Sequence, residues 1–169
     1  MRIRLRKGGQ GDIPAMAELF RDTVLTVNAA DYSVSETIDW AACGDDAAHW
    51  EELIGRLHFV VAEEIAGRHV RMNSETAEKE KMVGFASISD EGYLHSMFVH
   101  KEFQRCGIAT ALLKTLENYG REKAVEKIVA EVSITARPFF ESEGFRVVYG
   151  QKRRARHLEL RNFVMEKRL

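Results

Sequence analysis

Cysteine is nearly absent from this chain. Cys43 and Cys106 are its only two among 169 residues, far apart and without histidine partners at metal-ligand spacing. A disulfide framework or a zinc site is therefore excluded as the organising device, no metal is expected, and a reducing cytoplasm fits. An excess of charge of one sign is missing too. The 25 Lys and Arg against 26 Asp and Glu leave a formal −1, so no global field draws the protein to nucleic acid or to an anionic membrane. Long apolar runs are lacking as well. The N-terminus, Met1-Arg-Ile-Arg-Leu-Arg-Lys7, alternates charge with apolar residues instead of opening on a signal core, and no stretch is long enough to span a bilayer. No repeat, low-complexity tract or internal boundary divides the chain. These absences leave one cytoplasmic domain, residues 1–169, monomeric or homodimeric, whose hydrophobic share of 45% can build an ordinary core.

Residues Arg2 to Lys7 alternate apolar and basic, the period of a half-exposed strand. Asp12 and Pro14 then mark a helix start, followed by Met16, Ala17, Phe20, Val24 and Val27 at helical spacing. Trp50, Leu53, Ile54 and Leu57 trace another helix, and Asn28 to Gly44 between them reads as a helix–loop–helix excursion. Leu57 to Ala62 and Met82 to Ile88 predict two hairpin strands. The polar connection Glu63 to Lys81 is long for a hairpin, so residues 63–81 read as an exposed, mobile insertion. Tyr93 to Val99 reads as a central strand. Ile108, Ala111, Leu112, Thr115, Leu116 and Tyr119 form a helix stripe, Lys127 to Val132 a buried strand, and Thr135 to Glu143 a short helix ended by Gly144. Phe145 to Tyr149 and Leu158 to Met165 close the sheet around a basic turn, Lys152 to His157, expected to be a solvated tip. The order predicts an α/β (α+β layered) fold: a mixed, mostly antiparallel sheet of about six to seven strands with helices on both faces.

The segment Val99-His-Lys-Glu-Phe-Gln-Arg-Cys-Gly-Ile-Ala-Thr110 carries the most chemistry. A buried strand enters a short loop, and a long helix begins at the loop's end. Main-chain N–H groups at a helix start have no intrahelical partner, and the helix dipole adds positive potential, so the position suits a phosphate. Gly107 lets an anion approach the backbone closely. Within this segment Gln104-Arg-Cys-Gly107-Ile-Ala109 resembles the Arg/Gln-x-x-Gly-x-Gly/Ala signature of the GNAT superfamily of acyl-CoA-dependent N-acyltransferases. Ala136-Arg-Pro-Phe-Phe140-Glu-Ser-Glu-Gly144-Phe145 resembles the next motif of that family, at the matching distance. Asp31-Tyr-Ser33, Trp40 and Ser133-Ile-Thr-Ala-Arg-Pro138 are similar to a bacterial branch whose acceptors are largely unassigned.

The resemblance implies roles by position. Backbone amides of Gln104, Arg105, Cys106, Gly107, Ile108, Ala109 and Thr110 would hold the pyrophosphate of acetyl-CoA, the acyl donor. The strand Met97, Phe98 and Val99 would pair with the pantetheine arm and supply an N–H to the thioester carbonyl. Ser133 and Phe140 would line the other side of that arm. Many relatives carry a tyrosine acid where this chain has Phe140, and an asparagine where it has Ser133. Candidate bases are His95, on the central strand, and Glu131, on its neighbour. Candidate acids are Tyr32 and Tyr149. Cys106 has no histidine nearby and is not a nucleophile. The function expected is transfer of acetyl from acetyl-CoA to the amine of a small molecule or protein, in a ternary complex. The alternative is a catalytically weak acyl-CoA-binding or sensor module.

Overall fold

In a computed structural model, which describes residues 2–65 and 80–169, the chain runs β1 (Ile3–Lys7), α1 (Ile13–Thr26), α2 (Val34–Ala42), α3 (Ala47–Arg56), β2 (His58–Glu64), β3 (Lys81–Ile88), β4 (Tyr93–Val99), α4 (Ile108–Glu122), β5 (Lys127–Ser133), α5 (Arg137–Ser142), β6 (Arg146–Arg154) and β7 (Glu159–Arg168). The strands form a seven-stranded sheet in the order β1-β2-β3-β4-β5-β7-β6. All its pairs are antiparallel except β4 with β5. Alternation along each strand sends side chains to two separate cores. One face packs Val60, Val83, Leu94, Ile128, Val132 and Met165 against α4 and α5. The other packs Phe59, Val61, Phe85 and Phe98 against α1, α2 and α3 through Met16, Phe20, Trp50 and Leu53.

Local chemistry places these elements. Ser33 caps α2 by accepting from Glu36 N–H, and the Glu36 carboxylate accepts from Ser33 N–H in return. Asp46 caps α3 by accepting from His49 N–H. Asp12 stands at the start of α1 as expected, but its carboxylate does not cap the helix; it accepts from Arg6 at 2.7 Å and from Gly9 N–H at 2.9 Å. The buried stripe of α4 is Ile108, Leu112, Leu113, Leu116, Glu117 and Gly120, turned from the predicted one. The charged Glu117 was invisible to an apolar count; Lys167, at 2.6 Å, satisfies it. Gly144, at φ +91°, follows α5 in the left-handed conformation expected of it.

The predicted insertion at residues 63–81 is corrected at its ends, while residues 66–79 lie outside the described residues. Glu63 and Glu64 belong to β2, where they pair with Met82 and Lys81 of β3. Their charge made them look like loop, yet Glu63 is 7% exposed. Its carboxylate accepts from Arg4 at 2.8 Å and from Arg6 Nε at 2.9 Å, and Arg6 also holds Asp12. Hydrogen bonding from Arg6 keeps both carboxyls below the usual carboxylate range. This network joins β1, β2 and the start of α1. Because the folded values are depressed, its stabilisation is complete above the ordinary carboxylate pKa of about 4 and is lost as pH falls through the lowered values. Glu63→Gln is expected to lower stability at pH 7 by roughly 1–3 kcal/mol, with the deficit shrinking toward pH 3. Chemical denaturation at the two pH values measures it; an equal deficit at both would show that the ion pairs contribute nothing.

Candidate active site

Strands β4 and β5 start side by side and then part. Their ladder contains only Tyr93↔Val129 and Leu94↔Ala130. On the opposite edge β4 stays paired with β3, but Ser87↔Ser96 is followed by Ile88↔Leu94, so His95 is an extra residue in the strand. Such a bulge bends and twists the strand that carries it. From His95 onward β4 turns from β5 and leaves a cleft of about 1100 Å³ between them. Among the described residues, no backbone bond joins β5 to His95, Ser96, Met97 or Phe98, so main-chain groups on that edge await a partner. The two arms are fixed separately. The carbonyl of Val99 accepts from Gln104 Nε2 at 2.6 Å and from Thr23 Oγ1 at 3.3 Å. Tyr32 accepts from Ile134 N–H at 3.0 Å and donates its hydroxyl proton to the Arg161 carbonyl at 2.6 Å, adding one rung beyond the β5–β7 ladder.

The loop after β4 ends the cleft. It turns through a short 3₁₀ segment, Lys101–Phe103, and places both Arg105 (φ 61°) and Gly107 (φ 79°) in the left-handed region. Among the described residues no side chain caps the start of α4, and no acid stands in its first turn, so the N–H groups there remain open to an anion. Among the described residues a Cβ on Gly107 would meet nothing within 4 Å, which leaves the approach to these amides clear. Gln104, Arg105, Gly107, Ile108, Ala109 and Thr110 line the cleft, as do Met97, Phe98, Val99, Ser133 and Phe140. Three of these side chains are engaged within the chain. The Gln104 side chain is turned back to β4, the Thr110 hydroxyl donates to Glu143 at 2.7 Å, and the Ser133 hydroxyl accepts from Ala136 N–H at 3.1 Å. The side chain of Cys106 is exposed outside the cleft lining.

Of the proton-transfer candidates, His95 and Glu131 line the cleft and Tyr149 does not. Tyr149 sits on β6, 54% exposed, because that edge strand turns its side chain to solvent. Tyr32 does line the cleft, but its one proton is given to the Arg161 carbonyl, and burial raises its pKa. That makes it a clamp between β5 and β7. Phe140 is buried against Phe139 and Phe145. The His95 ring lies 2.8 Å through Nδ1 from Ser96 Oγ, and burial, reinforced by His49 and Arg56, holds its pKa below the ordinary histidine value. It is therefore neutral at pH 7; in the tautomer that donates Nδ1–H to Ser96 Oγ, Nε2 carries the lone pair. The Glu131 carboxylate is held by Arg153 at 3.0 Å.

Sequence reasoning missed Ser96, Arg153 and Asp39. The basic segment Lys152 to His157 is the exposed hairpin tip expected, but it is also engaged: β6 reaches Arg154, Arg153 serves Glu131, and the turn's amides hold Asp39. A turn rich in donors is a signal that some acid must answer it; which acid depends on packing between residues more than 100 positions apart. Tyr32→Phe would leave the partly buried Ile134 N–H and Arg161 carbonyl without this partner, so it is expected to cost roughly 1–2 kcal/mol. Thermal unfolding of the variant measures this; wild-type stability would show that the rung is not needed.

Comparison with known proteins agrees with this geometry. A family model described as an acetyltransferase (GNAT) domain matches residues 41–169. The chain is 31% identical over 163 residues to the uncharacterized N-acetyltransferase YafP of Escherichia coli (strain K12), covering 96% of this chain and 94% of that one. Among solved structures, the GCN5-related N-acetyltransferase of Rhodopseudomonas palustris superposes with a TM-score of 0.86 at 22% identity, over 100% of this chain and 97% of the other. The PaiA N-acetyltransferase of Thermoplasma acidophilum, solved in complex with coenzyme A, superposes with a TM-score of 0.74 at 18% identity over 100% of both chains. These two share the fold. With the family model covering most of its length and a curated relative aligned nearly end to end, the chain belongs to the GNAT acetyltransferase family.

Proposed function

We propose that the protein transfers an acetyl group from acetyl-CoA to the amine of a small molecule or protein, by direct attack in a ternary complex. The observation that carries this reading is the meeting of two unsatisfied main-chain surfaces, the free edge of β4 and the open amino end of α4, in one cleft. The first suits an extended amide-bearing arm added as a strand, the second a pyrophosphate. A CoA thioester has both parts, in that order, and supplies the activated acyl group.

The residues present fit each task. Amides from Gln104 to Thr110 receive the pyrophosphate. Main-chain groups of Met97, Phe98 and Val99 align the pantetheine arm, with Ser133 and Phe140 on its far side. An N–H of β4 directed into the cleft polarises the thioester carbonyl. An alkylammonium acceptor with a pKa near ~10 must lose a proton before attack, and the neutral His95 Nε2 receives it. Glu131, held by Arg153, sets the local field rather than accepting the proton. Phe140 cannot donate, Tyr32 is engaged and Tyr149 lies outside the cleft, so water protonates the departing thiolate. Phe140→Tyr is accordingly expected to leave the rate unchanged or modestly faster.

Two experiments test this reading. Gly107→Glu places bulk and negative charge among the open amides and is expected to abolish CoA binding in calorimetry while the circular dichroism stays native. Wild-type CoA affinity in that variant would sink the assignment. Catalysis then follows His95. Its depressed pKa predicts that kcat/KM climbs with pH below about 6.5 and is level above, since only the neutral ring accepts a proton. His95→Gln is expected to slow transfer about 100-fold at neutral pH, with the loss shrinking at high pH as free amine accumulates. An unchanged profile would remove His95 from the mechanism. CoA binding without turnover of any amine would favour the binding-module reading instead.

A further inference from the structure

The turn between β6 and β7 grips an acid from the other side of the chain. Main-chain N–H groups of Arg156, His157 and Leu158 all donate to one oxygen, Asp39 Oδ2, at 2.9, 2.8 and 2.9 Å. Successive amides around a turn make an anion-binding concavity, and here the occupant is the protein's own carboxylate. Asp39 lies on α2, beside Trp40. The Trp40 ring lines the cleft, 5.5 Å from the Tyr32 ring and 6.5 Å from that of Phe98.

Helix α2 packs on α1 with one face only. Only Thr37 and Ala41 are buried along its length, while Val34 and Ile38 are 75% and 57% exposed. Short 3₁₀ turns, Asn28–Ala30 and Cys43–Asp45, flank it at either end. It is fastened across the sheet at two points: Tyr32 just before its start, on the ends of β5 and β7, and Asp39 near its finish, on the β6–β7 turn. The strand entering that turn carries Arg153, which holds Glu131 in the cleft. One carboxylate thus ties the aromatic wall to the strands bearing the cleft's charged pair.

We propose that α2 is an adjustable wall of the acceptor pocket and that Asp39 is its latch, a positioning residue that sets acceptor affinity without touching the CoA-binding surfaces. The proposal rests on the reading of this cleft as an acetyl-transfer site. When the latch opens, Trp40 leaves its place and the binding-competent fraction falls, which raises the apparent acceptor constant by the reciprocal of that fraction. The amide loop of α4 and the edge of β4 are held by other contacts and keep their affinity for CoA.

The test compares wild type with Asp39→Ala and Asp39→Asn in three measurements. Acrylamide quenching of tryptophan fluorescence reports Trp40, with Trp50, at 5% exposure, as the protected reference. Calorimetry gives the CoA dissociation constant. Steady-state kinetics on n-butylamine, benzylamine and L-lysine split acceptor KM from kcat. In Asp39→Ala the expected result is stronger quenching, unchanged CoA affinity and an acceptor KM raised about tenfold, as for a wall closed in roughly one molecule in ten. Asp39→Asn falls between, since its amide oxygen still accepts N–H bonds without the charge, and it carries the test if the alanine variant does not fold. Unchanged quenching, unchanged KM, or a CoA affinity that weakens in step with KM overturns the latch. Should wild type turn over none of the amines, the functional reading fails by itself. Stronger quenching with unchanged CoA affinity would then still support the latch, and any other pairing would overturn it.

Discussion

Two parallel strands that begin as neighbours and separate after two residue pairs leave main-chain donors and acceptors facing each other across a gap. Buried groups of that kind are costly unless something meets them, so the gap must be held open by the rest of the fold. The bulge at His95 turns β4, Gln104 and Thr23 fix its far end, and Tyr32 fixes the far end of β5. The cleft therefore does not close into a continuous sheet. Everything attributed to the site depends on this separation, since a β4 fully paired with β5 would have no edge to offer a second chain-like molecule.

Charge is distributed sparingly around the opening. The loop before α4 presents neutral amides and a helix dipole rather than a cluster of cations. Deeper in the cleft Glu131 pairs with Arg153, so the acid does not stand alone, and the half-buried His95 stays neutral at pH 7. Beyond the cleft, the Arg4, Arg6, Asp12 and Glu63 network secures the far edge of the sheet, and Lys167 with Glu117 ties α4 to β7. These pairs add to the β1–β2 ladder and to the apolar packing of α4 on the sheet.

Elements that bury one regular face were legible in the sequence. The bounds of β4 and the start of α4 read as observed because apolar periodicity and Gly107 coincide there. The loop before α4 was legible for the same local reason, that strand, glycine and helix adjoin in sequence. Charged residues recruited into ordered contacts were not. Glu63 looked like loop and is a strand residue held by two arginines; Glu117, outside the predicted apolar stripe, is buried against Lys167; the basic turn is exposed as read, yet its amides hold Asp39. Each error has one cause: a charge's environment is set by partners tens to hundreds of residues away, which a local pattern does not encode. Tyr32 and Tyr149 were equivalent as proton donors by residue type. Only the tertiary structure separates a hydroxyl spent on a carbonyl from one facing solvent.

The parting of β4 from β5 as the seat of the acyl donor is open to a direct observation. With isotopically labelled protein, amide resonances can be followed as CoA is added. The account predicts the largest shifts at Met97 to Val99 and Gly107 to Thr110, and slowed hydrogen exchange along β4 as its free edge gains a partner. Saturable binding that leaves those amides undisturbed, and shifts others instead, would contradict it.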